Sequence, residues 1–285
     1  MIIDAHAHLI ADDDVAYPPA RPHGEPRLAE LHNPMTAERL LTEMDRCGVD
    51  RAVLVQRGSI YGFDNRYVCD SAARHPDRFA AVCAIDAAAS NSAERVRFWV
   101  REQGALGIRF MQLMKGPDMA WLNSPAALAA WAEANRLGIP VCVHLFPWNR
   151  TAGLEALLSI VSSLAGVRMV IDHLSNMDVF AGSPDHGVDP LLSSIAVHPG
   201  VHVKFTTIPL GKLHAAGIDA APILARVVSL FGAQRVLWGS DINQSPGAYD
   251  YMVELARQAT RGLSSEQQQW LMSGTAMAVY GTRWR

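Results

Sequence analysis

Eight short apolar runs, each followed by a stretch of helical periodicity, set the tightest limit on how this chain can fold. The runs are MIIDAHAH (1–8), RAVLVQ (51–56), FAAVCAID (79–86), ALGIRF (105–110), IPVCVH (139–144), VRMVIDH (167–173), VHVKFT (201–206) and RVLWGSD (235–241). They are brief, nearly continuous and rich in Val and Ile, as strands buried on both faces of a parallel sheet must be. Helical signals fill the intervals. Leu40, Leu41, Met44 and Cys47 share one stripe of residues 36–47. Ser124 and Pro125 supply an N-cap and a first-turn proline, and Gly138 stops that helix. GLEALLSIVSSLAG and PILARVVSLFG repeat the pattern, and Ser264 with Gln267 forms a capping box that opens a C-terminal helix.

Eight such units predict one α/β domain over residues 1–285, a (β/α)8 TIM barrel with C-terminal helices. An open doubly wound sheet would call for a glycine-rich turn after the first strand, where this chain has HAHLIADDD. With 285 residues, 49% hydrophobic and 19% charged, the chain can bury one large core. The only long irregular stretch, residues 10–35, is expected to be a lid or binding loop, with Arg21, His23, Arg27 and His32 as candidate contacts.

Several functions are excluded at this stage. A net charge of −3 gives no basic footprint for nucleic acid. No run is long enough for a membrane helix, and the N-terminus has no signal-peptide pattern. Cys47, Cys69, Cys83 and Cys142 lack metal-site spacing and read as reduced thiols, so a cytoplasmic setting is expected.

The polar residues at the strand ends carry the chemistry. His6 and His8 end the first run, His144 the fifth, His173 the sixth and Asp241 the eighth. In a barrel these C-terminal ends share one face, the face that holds the active site. His6 and His8, two apart on a strand, point the same way. Imidazoles with a carboxylate can hold a borderline metal such as Zn²⁺ with a position left for water. Arg109 in GIRF and Arg57 after the second run suit a small anionic organic substrate, because guanidinium pairs with carboxylate bidentately. Tyr61 and Asn65 could add neutral hydrogen bonds, and Trp148 is expected in the pocket wall.

This arrangement resembles the amidohydrolase superfamily, with HxH on strand 1, His on strands 5 and 6 and Asp on strand 8. HPDRFAAVCAID, GIRF and RVLWGSD resemble its amidohydrolase-related branch of lactonases and decarboxylases. No lysine ends strand 4, so a carboxylated lysine bridging two metals is not expected. The resemblance implies His6, His8, His144 and Asp241 around a mononuclear metal, Zn²⁺ first, with Mn²⁺ or no metal as alternatives. It further implies Asp241 as general base and His173 as the group that polarises a substrate carbonyl. The expected reaction is hydrolysis of a carboxylated lactone. The alternative is non-oxidative decarboxylation of an unsaturated or aromatic acid. A homodimer is also expected. The last helix reads GTAMAVYG, with Thr275 where many relatives carry an Asn-Ala pattern, and an effect on packing is expected there.

Overall fold

The computed structural model describes residues 1–20 and 33–281. Its eight strands are β1 (Ile3–Ala7), β2 (Arg51–Val55), β3 (Phe79–Ala84), β4 (Gly107–Met111), β5 (Val141–His144), β6 (Met169–Ile171), β7 (Val201–Thr206) and β8 (Val236–Gly239). They form one parallel sheet in chain order. Each observed strand falls within or almost within its predicted run: β5 and β7 end on the predicted polar residue, β4 runs one residue further, and the others stop one or two residues before theirs. The expected lid residues Arg21, His23, Arg27 and His32 lie outside the described residues.

The caps predicted at Ser124, Gly138 and Ser264 are present, and the structure adds a pair at Thr36 and Gly48. The Ala37–Cys47 helix starts at Thr36, whose hydroxyl accepts from the Arg39 amide, and stops at left-handed Gly48. Ser124 caps Pro125–Leu137, and left-handed Gly138 ends it. Ser264 and Gln267 bond reciprocally. Buried Thr275 donates its hydroxyl hydrogen bond to the Ala233 carbonyl, joining the last helix to the turn before β8. No helix among the described residues is long and apolar enough to cross a membrane.

The barrel interior is layered. Ile3, Ala5, Val53, Val55, Val82, Cys142, Val170 and Leu237 form an apolar floor, closed by Ala276, Val279 and Tyr280 of the C-terminal helix. Outward-facing Ile108, Phe110, Val143, Val203 and Trp238 pack instead into the larger cluster beneath the helices. On β1 the pairing register shifts between Asp4 and Ala7. Ala7 and Leu9 therefore join the outer cluster, and His6 and His8 turn inward above the floor. Re-aiming side chains is what a strand irregularity does.

The barrel closes at a seam sealed by a side chain. Asp4 Oδ1 accepts from the amides of His6 (2.9 Å) and Ser240 (2.8 Å). Its Oδ2 accepts from the hydroxyls of Ser240 (2.5 Å) and Tyr249 (3.0 Å). Above it the Asp241 amide donates to the His6 carbonyl at 2.7 Å, and Ala7 bridges to Ile242. Only glycine fits at 239, since a Cβ there would overlap the His6 Cβ and lie 2.9 Å from the His6 nitrogen. Gly239→Ala must therefore push β8 away from β1, and the expected loss is about 1–3 kcal/mol of stability, as for an overpacked core. Urea unfolding of the variant beside the parent chain reads this directly.

Candidate active site

His6, His8, His173 and Asp241 meet at the centre of the barrel's C-terminal face. The His6 ring lies 4.9 Å from those of both His8 and His173, and His173 lies 4.7 Å from His144. Asp241 Oδ1 stands 3.6 Å from His6 Nε2 and 3.4 Å from His8 Nε2. All of these residues are buried. His8, His144, His173 and Asp241 line the inner wall of a cavity of about 490 Å³ whose outer lining includes Arg57, Lys115, Phe146, Trp148 and Lys212.

The backbone bends sharply to present two of these groups. His173, Leu174, Ser175 and Asn176 have φ of 54°, 51°, 55° and 52°, a left-handed turn built from four residues that are not glycine. Each such residue costs roughly 1–2 kcal/mol. The turn is held from outside itself: Asn176 Nδ2 donates to the Leu145 carbonyl at 2.6 Å, and Arg150 Nε to the Ser175 carbonyl at 3.0 Å. Asp241 is also left-handed, at φ 57°. Ser245 Oγ donates to its Oδ2 at 2.7 Å, which leaves Oδ1 toward the histidines.

The residues present fit a divalent metal. His6 Nε2 and Asp241 Oδ1 are buried without a hydrogen-bond partner, an expensive condition for polar atoms unless something else satisfies them. His8 Nδ1 lies 2.7 Å from the Val55 carbonyl, which can only accept. The proton therefore sits on Nδ1, and Nε2 keeps its lone pair. Nitrogen, nitrogen and carboxylate oxygen within 4.8 Å of one another make a three-ligand set, the number found where a coordination position is left for water. His6 could also join Asp172 and His173 in a second group.

Four residues singled out from the sequence, His144, Arg109, Tyr61 and Asn65, have partners that the sequence does not show. His144 joins neither group among the described residues. Its Nδ1 is drawn to Arg109 Nη2, 2.7 Å away. Arg109 in turn is engaged inside the wall: Nε donates to Asp172 Oδ2 at 2.9 Å, so the guanidinium is not the open carboxylate clamp expected, although it borders the cavity. Tyr61 and Asn65 do not line the cavity. The Tyr61 hydroxyl accepts from the Ala11 amide, and Asn65 bonds both ways with the backbone of Ala84. Both fix the loops beside β1 and β3. Arg57 is buried at the cavity edge and donates to the Asn243 carbonyl and to Ser59. Trp148 stands at the mouth, stacked on Phe146 with ring centres 4.3 Å apart.

Asp172 and Lys204 were not singled out from sequence. Lys204 Nζ lies 3.2 Å from Asp172 Oδ1 and 3.3 Å from His6 Nδ1, and neither Lys204 nor Asp172 has any solvent exposure. A lysine between Val203 and Phe205 in a buried strand was the available signal, because the alternation places it inward with Thr206. Thr206 Oγ1 meets His173 Nδ1 at 2.8 Å.

The electrostatics follow from depth. Burial disfavours the charged form of every histidine here and lowers His6, His8 and His144 from the ordinary value, with His173 pushed down to about 4. Burial works upward on Asp172 and Asp241, but adjacent cations outweigh it for Asp172. The adjoining imidazoles of His8 and His173 outweigh it for Asp241, and both carboxyls end below the usual range.

The fold and site place the chain in the amidohydrolase family, whose sequence profile matches residues 3–282, so the protein is an enzyme of the hydrolase class. The L-fucono-1,5-lactonase of Burkholderia ambifaria is 27% identical over 242 residues, 84% of this chain and 79% of the relative. Two solved structures share the fold. An amidohydrolase from Burkholderia multivorans with bound zinc superposes with a TM-score of 0.75 at 20% identity, covering 99% of each chain. A probable 2-pyrone-4,6-dicarboxylic acid hydrolase from Acinetobacter baumannii with citric acid bound gives 0.71 at 17% identity, over 98% of this chain and 99% of that one.

The histidine shifts fix the sign of a pH effect. In the folded, metal-free protein these imidazoles stay neutral below their unfolded pKa of about 6.5, so the unfolded chain binds more protons. Stability is then complete above pH 6.5 and falls as the pH drops toward 4, the value for His173. Each such histidine contributes a slope of up to about 1.4 kcal/mol per pH unit. Urea midpoints of chelator-treated protein at pH 7.5, 6 and 5 should decline in that order, and a flat profile would contradict the assignment.

Proposed function

We propose that this enzyme opens the ring of a carboxylated lactone by attack of water, with Asp241 as general base. The observation that carries the reading is the meeting of His6 Nε2, Asp241 Oδ1 and His173 Nε2, three buried polar atoms without hydrogen-bond partners, beside a cavity that Asp241 and His173 line. The relative named for a lactonase activity supports the lactone class.

His6, His8 and Asp241 would hold a divalent metal, zinc before manganese, which would supply Lewis acidity when bound. The remaining work belongs to the chain. The Asp241 carboxylate, oriented by Ser245 Oγ at its Oδ2, accepts the proton of the attacking water. Its lowered pKa keeps it ionised and ready at neutral pH. His173, anchored through Thr206, presents Nε2 to the carbonyl oxygen as charge builds there. When the ring C–O bond breaks, Asp241 returns the proton to the leaving oxygen, and the product is a hydroxy-acid or its keto form.

The substrate's charge is inferred from the lining. Asp241 is the one carboxylate among the described lining residues, against Arg57, Arg109, Lys115 and Lys212. With Arg109 engaged by Asp172, Lys212 on the Thr207–Ala215 helix and Lys115 beside Trp148 are the cations best placed for a substrate carboxylate. The four free thiols suit a cytoplasmic setting.

A weakly buffered indicator assay on carboxylated lactones, neutral sugar lactones and unsaturated acids, with and without zinc, tests the reaction. Steady acidification by a lactone is expected. Carbon dioxide from an unsaturated acid, with no lactone turned over, would make the enzyme a decarboxylase. Asp241→Asn should lower kcat by about 10²–10⁴-fold. Lys212→Met should raise KM about 10-fold or more for a carboxylated lactone and leave kcat nearly unchanged, as loss of a charge-assisted contact does.

A further inference from the structure

We propose that Gln112 is a positioning residue that joins the loops after β4 and β5 into one wall of the cavity, and that this wall holds Lys115 over Trp148 as a fixed cation for a charged group of the substrate. The cation's use rests on the anionic-substrate reading given above. The joint between the loops stands on hydrogen-bond chemistry alone.

A glutamine amide has two donors on its nitrogen and an oxygen that can accept twice. Gln112 is buried at the cavity and uses all four on the protein. Nε2 donates to the carbonyls of Gly116 at 2.9 Å and Asp118 at 3.1 Å. Oε1 accepts from Asn149 Nδ2 at 2.8 Å and from the Trp148 indole nitrogen at 3.3 Å. The amide can face only one way, because a carbonyl only accepts and an indole N–H only donates. No donor or acceptor is left for a substrate hydroxyl. A cavity residue with nothing to offer the cavity's contents shapes the wall instead.

The two loops have no other direct tie of this kind. The β4–β5 pairing ends at Met111 and His144, and no backbone hydrogen bond among the described residues joins the loops beyond it. On the β5 side Asn149 carries the connection further. Its Oδ1 accepts from the Phe146 amide at 2.8 Å, and its own amide donates to the Phe146 carbonyl at 3.1 Å. The turn from Phe146 to Asn149 is thus closed on itself and hung on Gln112.

What the joint holds is exposed and would otherwise be loose. Lys115 is exposed, and Trp148 is 47% exposed. A ring that open keeps one orientation only if directed contacts hold it. Trp148 stacks on Phe146 with 4.3 Å between centres and 7° between planes, and Phe146 packs on His144 at 4.2 Å. Stacking sets the plane of the indole, and the bond to Gln112 sets its rotation within that plane. Lys115 Nζ lies 5.4 Å from the indole centre, within cation–π reach, and no carboxylate among the described residues pairs with it. Gln112 closes the Lys115 loop through one end of its amide and aims the ring beneath Lys115 through the other. A positive charge is thereby held above an aromatic stack that leads down to the reacting centre. Holding a long side chain in place beforehand is worth roughly threefold to tenfold in affinity.

Two measurements on the full chain test this. Gln112→Met keeps the length and bulk of the side chain and removes both donors. The released carbonyls lie on a loop open to water, so the barrel should fold as before. The first measurement is ¹⁵N relaxation of the tryptophan indoles, with Trp148 identified by the loss of its signal in Trp148→Phe. Its order parameter should be near that of a rigid amide, about 0.85, in the parent and below about 0.6 in Gln112→Met. The second is a double-mutant cycle in KM for a carboxylated lactone. Gln112→Met should raise KM about 3–10-fold with kcat within about twofold of the parent, and Lys115→Met should raise it about 10-fold. Added to Lys115→Met, Gln112→Met should raise KM by less than about twofold more, because the cation it positions is gone. A neutral lactone should show neither effect. An indole that stays ordered in Gln112→Met, or the same KM penalty with and without Lys115, would overturn the proposal. Turnover of neutral lactones alone would overturn the cation's role. Carbon dioxide from an unsaturated acid and no lactone turned over would overturn the hydrolase reading, and the same cycle in KM for that acid would then support or overturn the role of Gln112.

Discussion

A carboxylate with no access to water sits in the middle of this barrel, and the site is arranged around it. Asp172 draws Lys204 from β7 and Arg109 from β4, with His6 of β1 against the same oxygen as the lysine. Three elements distant in sequence are tied at one point between the apolar floor and the reacting face. Taking these charges out of water is costly, and removing any one partner leaves an uncompensated charge worth about 3–5 kcal/mol of destabilisation. The cluster is therefore an all-or-none unit. It gives the ring nitrogens above it defined neighbours, which a floor of valines could not do.

The seam works by the same logic at lower stakes. A closed barrel needs its first and last strands joined, yet β8 ends at Gly239 and β1 changes register at that level. Asp4 supplies acceptors to both strands and to Tyr249, so one side chain, with the Asp241–His6 backbone bond and the Ala7–Ile242 bridge above it, closes the barrel where a regular ladder would otherwise run. Burial raises the Asp4 pKa, and bonds from Ser240, His6 and Tyr249 oppose that rise. Because His6 lies on one side of the seam and Asp241 just beyond the other, the two candidate ligands are placed by the joint that closes the fold.

Much of this was legible in the sequence. Period and apolar runs gave the strands, and Ser124, Gly138 and Ser264 marked helix ends where the chemistry of caps requires them. The strand-end histidines and Asp241 were legible because a barrel sends all such ends to one face. What stayed hidden depended on contacts across the barrel. GIRF shows that Arg109 points inward, but not that Asp172, 63 residues later, is waiting for it. His144 and His8 look alike as strand-end imidazoles, and only the neighbour behind each ring separates them. Tyr61 and Asn65 looked available because their partners are backbone groups, which no side-chain pattern reveals.

The left-handed turn at His173–Asn176 has a consequence for chirality itself. Four successive L-residues there occupy the conformation that their mirror images prefer. A semisynthetic enzyme with D-serine at position 175 would relax that residue's backbone where nearly every other D-substitution in the barrel would disrupt it. Handedness is thus one of the materials from which this active face is made: the chain holds His173 in place by bending against its own stereochemistry, and the surrounding bonds from Arg150 and Asn176 keep it bent.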